Sequence, residues 1–146
     1  MPPGEKTTIR VNWTVVPGGT LEDILSRFRK QVDQAEVDTT YVVHAFHNSI
    51  AHITADYAAE MIGHHEQAMA DFNQRNKTNH RLVWAEADYP PRNERFFPLI
   101  DRVNVLLRCA NEKAGFPPCR PWRVTSPPPD AGCYYSIKRR VHSQNM

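Results

Sequence analysis

The sequence predicts an α+β domain with three main helices, one of them long and spanning about 40–75, a small antiparallel sheet and a proline-rich C-terminal segment. Three observations carry that expectation. Ile9, Val11, Trp13 and Val15 alternate with Arg10, Asn12 and Thr14, the period of two expected of a half-buried strand. Elsewhere apolar residues recur every three or four positions, the period of a helix with one buried face. Six of the twelve prolines crowd into residues 117–129, a composition that favours extended chain over regular structure.

Taken in order, the first strand covers 9–16 and stops at Pro17-Gly18-Gly19, where proline ends the ladder and two glycines permit a reversal. Thr20 stands three residues before Asp23, a relative of the capping box. Leu21, Ile24, Leu25, Phe28, Val32 and Ala35 then define a helix over 21–36, with Arg29 and Asp33 placed to pair on its wet side. Val43, Phe46, Ile50, Ile53, Tyr57, Met61, Ala68 and Phe72 continue at helical spacing, with no proline between 18 and 89. Capped by Asp38, Thr39 or Thr40, this is a single rod of about 55 Å at ~1.5 Å per residue. Gly63 is its one weak point, and two shorter helices meeting there are the alternative reading.

Residues 81–87 form a short strand closed by Tyr89-Pro90-Pro91. The third helix carries the stripe Phe96, Ile100, Val103, Leu107 and Ala110, with Pro98 in its first turn, Gly115 at its C-terminal cap and Pro117-Pro118 beyond. Cys133 to Val141 form a last strand. The organisation expected is one domain, with a compact body over 1–116 and a basic, proline-rich extension over 117–146 packed on the body or on a partner.

Formal net charge is +2, too small for a global field that binds polyanions, but it is unevenly spread. Residues 38–75 carry Asp38, Asp56, Glu60, Glu66 and Asp71 against Arg75 alone. The last 28 residues carry Arg120, Arg123, Lys138, Arg139 and Arg140 against Asp130. Three cysteines form no CxxC pair and leave one over in any disulfide scheme, which favours a reducing compartment. No apolar stretch approaches the ~18 residues of a membrane span and the opening residues hold no signal-like run, so the expected setting is cytoplasmic, with no membrane partner.

Five of the seven histidines lie between 44 and 65. On one continuous helix His47 and His65 stand about 27 Å apart, too far to share an ion. Two local groups survive: His44 with His47, and the i,i+4 ladder His52, Asp56, Glu60, His64. On that helix His64 projects toward the apolar side and Glu60 onto its flank. A carboxylate and an imidazole one turn apart can chelate a transition metal if a second element adds ligands. Histidines beside carboxylates are expected to have raised pKa values. His47-x-Ser49 and His52-x-Thr54 match the element of two-histidine phosphoesterases, but on one helix their side chains diverge. Cys109 reads as a small buried thiol. No P-loop, GxGxxG or GxSxG is present.

Residues 56–70, DYAAEMIGHHEQAMA, resemble the Met-x-x-His-His-x-x-Ala signature of a ferritin-like family of small copper-binding proteins, at Met61, His64 and His65. That family carries a second histidine pair and an export signal, which this sequence lacks. Residues 9–37 resemble the start of a small-ribosomal-subunit protein family, which continues into an arginine-rich helix where this chain turns acidic. Neither family is adopted. The function expected is a non-enzymatic protein-interaction module (a binder, inhibitor or accessory subunit) using Arg120, Arg123, Tyr134, Tyr135, Lys138, Arg139 and Arg140 toward another protein, with no cofactor. The alternatives are a transition-metal protein or metal-dependent hydrolase using His52, Asp56, Glu60 and His64, and a weak nucleic-acid binder using the basic tail.

Overall fold

The computed structural model describes residues 5–16, 20–35, 37–119 and 132–143. Four strands and three α-helices follow in the order β1 (Glu5–Val16), α1 (Leu21–Gln34), β2 (Thr40–His44), α2 (Ala55–Asn76), β3 (Arg81–Trp84), α3 (Phe97–Lys113) and β4 (Gly132–Ser143). Short 3-10 turns occupy His47–His52 and Glu94–Phe96. The class is α+β, as the patterning predicts.

The expected rod over 40–75 does not form. Its first five residues are β2, a 3-10 turn follows, and the helix proper begins at Ala55. The reason is burial on both faces of β2. Tyr41, Val42 and Val43 are all buried, so the run shows no period of two and fits a helical template by accident. Its aromatic and β-branched side chains suit a pleated sheet. The helix start is set by Thr54, whose Oγ1 accepts from the Tyr57 N–H at 3.1 Å, not by residues 38–40. From there α2 runs unbroken through Gly63.

The sheet order is β1-β4-β2-β3. It is not the antiparallel sheet expected, because β2 and β3 pair parallel, with α2 as the crossover between them. β4 lies antiparallel to both β1 and β2, which places the strand beginning at Gly132 inside the sheet. Tyr41, Val43, Leu82 and Trp84 face the three helices in one core with Phe28, Phe46, Ile62, Ile100 and Leu107. Val42, Val83 and Ala85 face the other way and meet Phe116 and Cys119.

The helix ends follow their capping residues. Thr20 and Asp23 form the reciprocal box at the start of α1, and the buried Ser49 Oγ accepts from the Leu21 N–H at 2.9 Å. Gly115, at φ 82°, lets Phe116 N–H return to the Asn111 carbonyl at 2.8 Å, and this turn sets Phe116 beneath Val42 and Val83.

The outer edge of β3 is closed by asparagine side chains. Asn111 accepts from Trp84 N–H and donates to Trp84 C=O, both at 2.8 Å. Asn104 does the same at Ala87, at 2.7 and 3.0 Å, and Asn73 at His80, at 3.0 and 2.9 Å. A carboxamide presents one donor and one acceptor side by side, as a neighbouring strand would, so α2 and α3 supply the pairing that an edge otherwise lacks.

Candidate functional site

The parallel pair β2–β3 ends beside a cluster of ionisable side chains. His44 is the last residue of β2. Ala45 and Phe46, both buried, anchor the turn that follows, and His47 at its start folds back on His44. The two imidazoles stack at 4.3 Å between centroids and 15° between planes. On the neighbouring strand, Ala85 N–H extends the pairing to the Val43 carbonyl at 2.8 Å. Asn104 then holds Ala87, and the Tyr89 hydroxyl donates to Asp101 on α3. Held between these two anchors, Asp88 points its Oδ2 at His44 Nε2 across 4.0 Å.

Burial sets the charges. His44 is 7% exposed, and its Nε2 has no hydrogen-bond partner. Desolvation, reinforced by the adjacent His47, pushes its pKa down to about 3, so at neutral pH the ring is uncharged and its approach to Asp88 is not an ion pair. Burial raises the pKa of Asp88, a shift that the nearby His47 opposes. Two residues before Asp88, the buried Glu86 carboxylate accepts from Arg108 Nη2 at 2.7 Å. Chemically the group joins a carboxylate with raised proton affinity to a neutral imidazole that can donate or accept. It sits at the carboxyl ends of parallel strands, where α/β sheets commonly place ligands.

The ladder expected to hold a metal is distributed differently. His52 ends the 3-10 turn, outside the helix, while Asp56, Glu60 and His64 follow one another along α2, and all four are exposed. His64 does not lie on the apolar side. Its neighbour His65 does, at 5% exposure, because the helix begins at Ala55 and its buried stripe runs Ala58, Ile62, His65, Met69. Among the described residues no three His, Cys, Asp or Glu side chains are grouped to hold a metal ion.

The raised histidine pKa values expected from the acidic surroundings are reversed at the buried positions. Burial lowers His65 to about 4, with Arg29 adding to the shift, and burial lowers His80. Ser49 and Thr54, the hydroxyls of the two H-x-[ST] elements, are helix-capping groups. Cys109 is exposed, not buried, since it falls outside the stripe that α3 turns to the core.

Of the residues expected from the sequence to bind a partner, Tyr134, Tyr135, Lys138, Arg139 and Arg140 lie on β4, and Arg120 and Arg123 lie outside the described residues. The sequence pointed to His44 with His47 but not to Asp88. Asp88 comes close only through the parallel pairing of β2 with β3, which a helical reading of 40–44 hides. Among the described residues no helix is long and apolar enough to cross a membrane. Comparison of the chain with protein-family models, with curated proteins and with solved structures returns no match.

Proposed function

We propose that His44, His47 and Asp88 form a small-ligand site with acid–base capacity, and that the protein acts on a small polar molecule bound there. The observation that supports this reading is His44 Nε2, a buried nitrogen without a hydrogen-bond partner, 4.0 Å from a carboxylate whose side chain is 38% exposed. An unpaired buried nitrogen is unfavourable by about 1–3 kcal/mol, and a ligand group placed between it and Asp88 removes that penalty.

The roles follow from the electrostatics. Asp88, its proton affinity raised by burial, takes a proton from a ligand hydroxyl or amide. His44 stays neutral and hydrogen-bonds the same ligand without introducing a charge, as burial, with the stacked His47 adding to it, makes an imidazolium there unfavourable. The ligand class is therefore a small molecule with one donor for Asp88 and one polar group for His44.

The test is a panel of small alcohols, amides and amines followed by histidine ring NMR and thermal shift. Binders are expected to move the His44 and His47 resonances together and to leave His80 in place. Asp88→Asn is expected to lower any turnover about 100-fold or more. Binding that persists undiminished in both Asp88→Asn and His44→Gln excludes the site.

A further inference from the structure

α1 and α2 are linked by Tyr57, whose hydroxyl donates to the Glu22 carboxylate at 2.5 Å. Beside this link the two helices leave two open hollows that share Arg29. The smaller, about 380 Å³, has Leu25, Ser26, Arg29, Met61 and His65 among its described walls. The larger, about 620 Å³, sets Arg29 across from His64, Gln67 and Arg75 of α2.

Two polar groups of the smaller hollow are left uncompensated by the fold. Arg29 is half-buried, yet the pairing with Asp33 one turn on, expected from the sequence, is not made, and among the described residues it forms no ion pair. His65 belongs to the buried stripe of α2, is 5% exposed, and its Nδ1 has no hydrogen-bond partner. A cation partly withdrawn from water and a buried polar nitrogen both lose hydration that nothing replaces. The two are coupled, since burial first and then the Arg29 charge hold the His65 pKa down at about 4. A single oxyanion compensates both. A guanidinium offers it paired N–H groups, and a neutral imidazole donates from Nδ1 in one of its tautomers.

The surrounding charges limit what that oxyanion is. Glu22, Asp33 and Lys30 also face the smaller hollow, and Asp71 faces the larger, so the described walls carry three carboxylates against Arg29, Lys30 and Arg75. Glu22 is engaged by Tyr57, and Asp71 accepts from Gln67 at 2.9 Å. With formal charge already balanced, a phosphate ester of about −1.5 to −2 meets more repulsion than a monoanion. We propose that the α1–α2 groove binds the carboxylate of a small organic acid, held by Arg29 and His65. The Ser26 hydroxyl is placed for a hydroxyl or keto substituent, and Leu25 and Met61 for a short apolar one. His44, His47 and Asp88 are not among the described walls, so this groove does not depend on the ligand site proposed above.

The test is NMR titration of the full chain with lactate, and separately with inorganic phosphate, at constant ionic strength made up with chloride. Lactate is expected to move the His65 ring resonances saturably, to raise the His65 pKa above about 4 as the Arg29 charge is neutralised, and to leave His44 and His47 in place. Arg29→Gln is expected to weaken lactate at least about tenfold, His65→Phe about threefold or more, and Arg102→Gln, outside the groove, not at all. Circular dichroism identifies a variant that fails to fold. Arg29→Lys, which keeps the charge but not the fork, then serves in place of Arg29→Gln and is also expected to weaken binding. His65 shifts no larger than chloride produces, undiminished binding in the Arg29 variants, shifts confined to His44 and His47, or tighter binding of phosphate than of lactate would overturn the proposal.

Discussion

Asn111 and Trp84 exchange two hydrogen bonds of 2.8 Å across the outer edge of β3, and both residues are fully or almost fully buried. The carboxamide does the work of a missing strand. Asn111→Leu keeps a similar side-chain volume but leaves the Trp84 N–H and C=O without partners in an apolar setting. The expected loss is about 2–4 kcal/mol, read as a lower urea midpoint at unchanged m-value. Asn104→Leu at Ala87 should act in the same direction. The sites are seven residues apart on α3, so the double variant should come close to the sum. A loss below about 0.5 kcal/mol for Asn111→Leu would show the edge closed by some other means.

What could be read in the sequence, and what could not, divides along physical lines. α1 and α3 were legible because each has one buried stripe and a defined cap, Thr20 with Asp23 for the first and Gly115 for the second. β2 was not legible, because Tyr41, Val42 and Val43 are buried on both faces and no alternation remains to be read. That single error hid the parallel pairing with β3 and, with it, Asp88 of the candidate site. The asparagine edge was equally hidden, since a buried Asn on a helix stripe looks like a polar interruption until the strand it pairs with is in place.

Ser49 closes the start of α1 from a distance of 28 residues, through the buried bond from Leu21 N–H. Ser49→Ala deletes the acceptor without altering the backbone, so one helix-terminal N–H becomes an unpaired buried donor. A destabilisation of about 1–3 kcal/mol is expected. Thr20→Ala, at an exposed cap, should lose about 1 kcal/mol. Thermal unfolding of both variants checks the ordering, and an equal or larger effect at Thr20 would contradict the burial argument.

Gly63 lies in the middle of α2, exposed, and a Cβ added there meets nothing within 4 Å. Glycine inside a helix is unfavourable relative to alanine because it loses more backbone freedom on folding. Gly63→Ala is therefore expected to stabilise the fold by about 0.5–1 kcal/mol, measured as a raised unfolding midpoint. A destabilised variant would mean that the helix bends at Gly63 in solution.

His44 and His65 make the fold sensitive to acid, and the sign follows from their depressed pKa values of about 3 and about 4. In the unfolded chain both rings titrate near their ordinary value of about 6.5. Between those limits the unfolded state binds more protons than the folded one, so stability falls as pH drops below about 6.5 and is insensitive to these groups above it. Each ring contributes a slope of up to about 1.4 kcal/mol per pH unit within its window. Asp88 and Glu66, both raised by burial, act oppositely, with stability lost as pH rises through their folded pKa values. That loss begins near their unfolded values of about 4, so it offsets part of the histidine slope in the acidic half of the range. Urea unfolding between pH 4.5 and 7.5 should therefore show stability rising with pH and levelling off near neutrality. His44→Gln removes the buried titrating ring and should flatten the acidic limb by up to about 1.4 kcal/mol per unit while leaving the His65 contribution intact. A variant with the same slope as the parent would mean that His44 can take up a proton in the folded state, which would place its ring in contact with water or paired with a charged Asp88.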